Sequence, residues 1–264
     1  MTARPKGLAP APPAVKAGMD RLIDLGSQGQ LSEQHVKKFL ADQQVASFWD
    51  TRARYAKAVS EPLFTIEWMD SMARMFKGHR IVEILSYRGV LVDPMTTRGL
   101  DWHGVEENPP KNAVASAGKV YPYGPSEAIE TLKPDTVVMS RLRNKDDDYE
   151  VLESIRDCKL PLVILRDSNL SWGDNLWDNA TVITDHRPNN FLEFAAVNQP
   201  LVKYTPEFPY YLYEVGKVFD WFQDVPNWVD GDVRTWLVLP KGTGLVVEGK
   251  VVAGPPDVAQ YVYR

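Results

Sequence analysis

Two carboxylates offer the most chemistry in this chain. Glu83 lies near the end of the short apolar run Arg80-Ile81-Val82-Glu83-Ile84-Leu85, and Glu106 closes Trp102-His103-Gly104-Val105-Glu106. Gly89 stands between them. In open α/β sheets, ligands bind outside the carboxyl ends of the strands. A carboxylate placed there can accept two hydrogen bonds from the cis-diol of a ribose. Glu83 could instead cap the next helix or pair with Arg88. Glu106 could be a turn residue before Asn108-Pro109-Pro110.

Other reactive groups are sparser. Arg141 and Arg143 could bind a phosphate or carboxylate, since guanidinium forks suit both. Pairing with Asp146, Asp147 and Asp148 is the plainer outcome. Asp167 could act as a base only if desolvated and close to an acceptor. Asp185-His186-Arg187 sets one His beside one Asp, with no second His at ligand spacing, so no metal site is assigned. Lys241-Gly242-Thr243-Gly244 has the wrong spacing for a phosphate loop, and no helix follows it. It reads as a turn.

The elements that must position these groups are legible as alternating short apolar runs and helical periods. Residues 80–85 and 102–106 read as the first two strands of a βαβ unit. Pro94 forces the helix between them to start late or to be short. A helix from Thr65 to Phe76 precedes the first strand, with Gly78 placed as its C-cap. Further strands are expected near residues 119–123, 135–140, 161–165, 181–184 and 209–215. Helices are expected over 126–132, capped by Ser126, and over 149–158 with Val151, Leu152 and Ile155 inward. Ser32 is a plausible N-cap for a helical stretch whose phase changes near Gln43-Gln44. Thr235–Leu239 and Leu245–Glu248 read as a β-hairpin about the Lys241–Gly244 turn.

On these residues the chain resembles the class I S-adenosylmethionine-dependent methyltransferases. In that family an acid on the first strand is followed by glycines two, four and six positions on. The second strand ends in Gly-Val-Asp or Gly-Val-Glu. Here the acid is Glu83, the second-strand ending is Gly104-Val105-Glu106, and the three glycine positions hold Leu85, Tyr87 and Gly89. Residues 62–69 and 77–80 also resemble a group of methyltransferase-like proteins. The resemblance, over roughly residues 61–218, implies an α/β, Rossmann-like methyltransferase fold. Its central sheet would be mostly parallel and flanked by helices, with a helical N-terminal extension and a β-rich C-terminal tail. It also implies S-adenosylmethionine as cofactor, with Glu83, Gly89 and Glu106 in its site. Leu85 and Tyr87, however, put side chains where that cofactor would lie. The position after the fourth strand lacks the Pro-rich acceptor motif. Three readings follow: a non-catalytic scaffold or interaction subunit with no cofactor, an active methyltransferase with an atypical loop, or a module that binds another nucleotide or an RNA end at the same cleft with Arg141 and Arg143 as anchors.

Composition narrows the classes. A length of 264 residues with 44% hydrophobic content can bury a real core. The net charge of −5 gives no global footprint for nucleic acid. The single cysteine, Cys158, excludes an internal disulfide framework and fits a cytoplasmic, reducing setting. No apolar run suits a membrane span. The expected organisation is an arm plus helices over 1–60, the Rossmann-like domain over 61–219 and a β-hairpin extension over 220–264. Expected partners are proteins or a second copy, met through the N-terminal arm and the aromatic C-terminal tail, with nucleic acid possible but not favoured.

Overall fold

The computed structural model describes residues 13–43, 64–111, 113, 115–116, 119–140, 147–167, 180–183, 210–224 and 233–253. Its centre is an eight-stranded sheet with the order β3-β2-β1-β4-β5-β8-β7-β6. The first five strands are β1 (Arg80–Ile84), β2 (Asp101–Val105), β3 (Val120–Tyr121), β4 (Thr136–Met139) and β5 (Leu162–Asp167). All of these pair in parallel. The remaining strands are β6 (Ala180–Ile183), β7 (Tyr210–Glu214) and β8 (Val233–Pro240). β6 and β7 are parallel to each other, and β8 runs antiparallel between β5 and β7. The order 3-2-1-4-5 is that of a doubly wound sheet, with its topological switch point between β1 and β4. The expected α/β, Rossmann-like architecture is the observed one.

Parallel strands covered on both faces must be apolar throughout. β4 is buried at every position, and β1 from Ile81 onward. One face carries Ile81, Trp102, Val138, Val163 and Leu165 beneath α3 (Ile66–Met75) and α4 (Val92–Thr97). The other carries Val82, Ile84, Val105, Val137 and Met139 beneath α5 (Pro125–Leu132) and α6 (Asp147–Cys158). Val151, Leu152 and Ile155 of α6 are buried as the spacing requires.

α3 begins at Thr65, whose hydroxyl accepts the Trp68 amide proton at 3.4 Å. It ends at Phe76, with Gly78 in the left-handed turn that leads into β1. Pro94 sits in the first turn of α4, which is only six residues long. This is the short crossover helix expected. Ser126 does not cap α5. Gly124 is the N-cap with Pro125 behind it, and the Ser126 hydroxyl meets Glu150 and Ser154 of α6.

α1 (Pro13–Ser27) and α2 (Glu33–Gln43) pack on each other through Met19, Leu22, Leu31, Val36 and Phe39. The pair docks on its own chain. Ile66 N–H donates to Leu31 O at 2.7 Å, and Glu33 N–H to the Glu67 carboxylate at 3.2 Å. Gly29 sits so close to Pro94 that a Cβ there would lie 2.7 Å from its ring. The Ser32 hydroxyl accepts the His35 amide proton, which is the expected cap.

One strand assignment needs correction. β8 does not form a hairpin with the segment after Lys241–Gly244, although that turn exists, with Thr243 N–H on Pro240 O. Leu237, Val238 and Leu239 are buried on both faces, which suits a strand between two neighbours and no exposed hairpin arm. The hairpin lies one strand later, between β9 (Gly244–Val247) and β10 (Lys250–Ala253). Its turn residues Glu248 and Gly249 are both left-handed, as a two-residue I′ turn demands. The remaining helix, α7 (Val215–Val218), is a single turn after β7. Among the described residues no helix is long and apolar enough to cross a membrane.

Candidate functional site

The carboxyl ends of β1, β2 and β4 converge at the switch point, where the sequence places its candidate groups. Glu83 pairs with Gly104 on one side and Val138 on the other, inside the sheet. Its side chain is 1% exposed. Trp102 Nε1 donates to one carboxylate oxygen at 3.0 Å, and Ser140 Oγ donates to the other at 2.5 Å. Burial pushes the carboxyl up to about 7, against the pull of these two hydrogen bonds. Neither the helix-capping role nor an Arg88 pairing describes it. Glu83 ties β1 to both neighbouring strands.

Glu106 follows β2 and is 2% exposed. Its Oε2 accepts the Tyr87 amide proton at 3.0 Å. The second acid therefore holds the loop that follows β1.

That loop keeps a specific backbone. Leu85, Tyr87 and Gly89 have φ of 58°, 50° and 71°. All three positions assigned to glycines by the family pattern are left-handed, although two carry side chains. Left-handed non-glycine residues cost of order 1–3 kcal/mol each and persist only where surroundings over-determine them. Here Ser86 N–H donates to Val105 O and Gly89 N–H to Ser86 O, beside the Tyr87–Glu106 bond. Close packing adds to this. A Cβ on Gly89 would lie 2.7 Å from Val120 and 2.8 Å from Ala115. One on Gly104 would lie 2.8 Å from Val92 and 2.9 Å from Ser86 Oγ. Both glycines are needed so that loop and sheet can approach. The Ser86 hydroxyl, fully buried there, has no hydrogen-bond partner among the described residues.

β3 and the residues just after it bound the site laterally. The rings of Tyr121 and Tyr123 stack with centroids 5.8 Å apart and planes 15° apart, and His103 lies 5.7 Å from Tyr121. Leu85, Tyr121 and Tyr123 are half-buried against the same core face. Asp93 of α4 pins the approach to β3, accepting from Ser116 and Lys119.

S-adenosylmethionine is the group that the resemblance implies at this edge. A ribose diol needs an accessible carboxylate, and both acids are buried and hydrogen-bonded within the chain. Two of three loop positions carry side chains.

Several candidates lie outside the described residues: Arg141, Arg143, Trp172–Asn179, Asp185-His186-Arg187, the 1–12 arm, the helical phase change after Gln43 and residues 201–209 of the aromatic stretch 201–219. Asp167 ends β5, but its side chain is likewise outside. Among the described residues no group of three His, Cys, Asp or Glu could hold a metal. Cys158 is exposed at the end of α6. At the opposite, amino end of the strands a groove is lined by Gly78, His79, Arg80, Gly99, Asp101, Lys133 and Asp135. Its charges are largely mutual, since Arg80 binds Asp101 through its side chain and Asp135 through its amide.

Sequence reasoning missed Trp102 and Ser140 as partners of Glu83, and the left-handed backbone at Leu85 and Tyr87. The first lie two residues from Gly104 and Val138, the positions level with Glu83 on the adjacent strands, so only the sheet register brings them to it. The second carried no signal in residue type.

Neither a protein-family model nor a curated protein sequence matches the chain. Among solved structures, the mitomycin 7-O-methyltransferase MmcR is similar at 15% identity, over 87% of this chain and 69% of that one, with a TM-score of 0.35. A structure described as a putative caffeoyl-CoA O-methyltransferase from Staphylococcus aureus is similar at 12% identity, over 77% and 98%, with a TM-score of 0.35. A SAM-dependent methyltransferase from Archaeoglobus fulgidus is similar at 14% identity, over 77% and 99%, with a TM-score of 0.33.

Proposed function

We propose that this chain is a non-catalytic protein built on a methyltransferase-like fold, acting as a scaffold or interaction subunit. One observation carries the reading: both strand-end acids serve the fold. Glu83 joins three strands, and Glu106 holds the loop at Tyr87. Carboxylates so buried are poor acceptors for an incoming diol, because they are covered by the chain as well as bonded within it. On this reading the partners are proteins or a second copy of the chain.

Calorimetric titration of the full chain with S-adenosylmethionine and S-adenosylhomocysteine tests it, with light scattering for the assembly state. The expected result is no binding at millimolar ligand and a defined oligomer. Micromolar affinity, lost in Glu106→Ala, would defeat it.

A second reading, an active methyltransferase, is favoured by the left-handed backbone at Leu85, Tyr87 and Gly89. There the residues would chiefly orient donor and acceptor, and no nucleophilic side chain is required.

A further inference from the structure

Glu83 is a buried carboxyl without a cation to answer it. The alternation along β1 turns it to the face of Ile81, beneath α3 and α4, where Trp102 also lies. Among the described residues its partners are Trp102 and Ser140, both neutral. The charged groups on the covering elements are employed elsewhere. Glu67 takes the Glu33 amide, Asp70 binds Arg98, Arg74 binds Glu248 and Asp93 binds Lys119. Glu106, past the end of β2, takes the Tyr87 amide. Arg80, Asp101 and Asp135 bind one another at the opposite ends of the strands, and Arg234 of β8 lies against Glu214 and Asp224. Tyr213 shares the face, and burial pushes its hydroxyl up, so it stays neutral. Burial with no cation nearby favours the protonated acid.

The two partners decide where such a proton goes. An indole N–H only donates, so the carboxylate oxygen 3.0 Å from Trp102 Nε1 must remain an acceptor. The other oxygen lies 2.5 Å from Ser140 Oγ, and a hydroxyl can accept as well as donate. That separation is in the short range of charge-assisted O–H···O bonds. Ser140 directly follows β4 and is fully buried.

We propose that Glu83 and Ser140 form a proton switch at the centre of the sheet. The ionised carboxylate accepts from the Ser140 hydroxyl; the neutral acid carries its proton on that same oxygen and donates to Ser140, so the bond between them reverses. The Ser140 hydrogen then turns away from Glu83, and the carboxyl end of β4 changes its hydrogen bonding with pH. The switch stands apart from the scaffold reading, since it uses no ligand.

The test is NMR of the full chain, following the indole nitrogen–proton signal of Trp102, assigned by its loss in Trp102→Phe. The expected result is a titration of that signal centred at about pH 7, absent in Glu83→Gln. In Ser140→Ala the midpoint should rise by about one pH unit, because the ionised form loses a charge-assisted bond. A signal that stays fixed between about pH 5 and about pH 9 overturns the switch. A titration that survives Glu83→Gln belongs to another group, such as His103 beside Trp102 in the chain, and overturns it as well. An unmoved midpoint in Ser140→Ala overturns the assignment of the proton to the Ser140 side. Should Glu83→Gln fail to fold, the Ser140→Ala midpoint decides alone, since a titration elsewhere would not respond to that hydroxyl.

Discussion

Replacing Glu83 by Gln should make the protein more stable at pH 8 than the wild type, and the advantage should shrink as the pH falls. The carboxyl is raised to about 7 in the fold because it is buried, against an ordinary value of 4.5. Below about pH 4.5 folded and unfolded chains both hold the proton, and Glu83 contributes no pH dependence. Between 4.5 and 7 the unfolded chain releases the proton while the folded chain keeps it, so stability falls as pH rises. Each pH unit in this window is worth about 1.4 kcal/mol. The loss is about 1 kcal/mol at pH 5 and about 3 kcal/mol at pH 8, by the same relation. Gln has no proton to lose and keeps one oxygen for Trp102 or Ser140. The variant-minus-wild-type difference should therefore grow by about 2 kcal/mol from pH 5 to pH 8. Urea unfolding at the two pH values measures it, and other titrating groups cancel in the subtraction. A difference that stays constant across that range would refute the reasoning. It would mean that Trp102 and Ser140 hold the carboxylate well enough to offset its burial.

Two further outcomes test the loop. Tyr87→Gly and Tyr87→Ala remove the same ring and differ only by a Cβ. At φ 50° the Cβ costs about 1–2 kcal/mol, offset by about 0.5–1 kcal/mol of glycine entropy. The glycine variant should therefore be the more stable by about 1 kcal/mol, and the reverse order in chemical denaturation would show a loop that is not left-handed there. Gly104→Ala drives a methyl to 2.8 Å from Val92 and 2.9 Å from Ser86 Oγ, so it should destabilise by about 1–3 kcal/mol through overpacking. An unchanged melting midpoint would mean that loop and β2 are farther apart than described.

The sheet was legible because its strands are short apolar runs bounded by turn residues. The crossover was legible because Pro94 limits where a helix can begin. The two acids were legible as strand-end groups, but their employment was not. Trp102 and Ser140 reach Glu83 from β2 and β4, one on each side of β1. Only the sheet order makes them neighbours, and local sequence does not encode that order. β8 was misplaced for a related reason. A turn at Lys241–Gly244 suggests that the strands flanking it pair, and nearby strands often do. The contrary signal was Leu237-Val238-Leu239, apolar at consecutive positions, which an arm with one solvated face would not carry. The left-handed residues left no trace in residue type, since Leu and Tyr are chosen against in that conformation. They are tolerated because three hydrogen bonds and two close glycine contacts leave the chain no other path.

That constraint links the two acids to a single consequence. A loop free to relax would move Leu85 and Tyr87 into ordinary backbone regions and lose its glycine-loop shape. The shape survives because Glu106 and Val105 hold Tyr87 and Ser86, and because Gly104 lets the loop rest on β2. β2 is in turn fixed to β1 by the Trp102–Glu83 bond within a buried face. Groups at the carboxyl ends of the strands thus hold the loop in its left-handed shape. Strain of about 1–3 kcal/mol per residue is tolerable only while that support is intact. On the proposed reading these buried carboxylates would have to be uncovered before they could serve a ligand, and internal structure and ligand binding would then compete at this edge of the sheet.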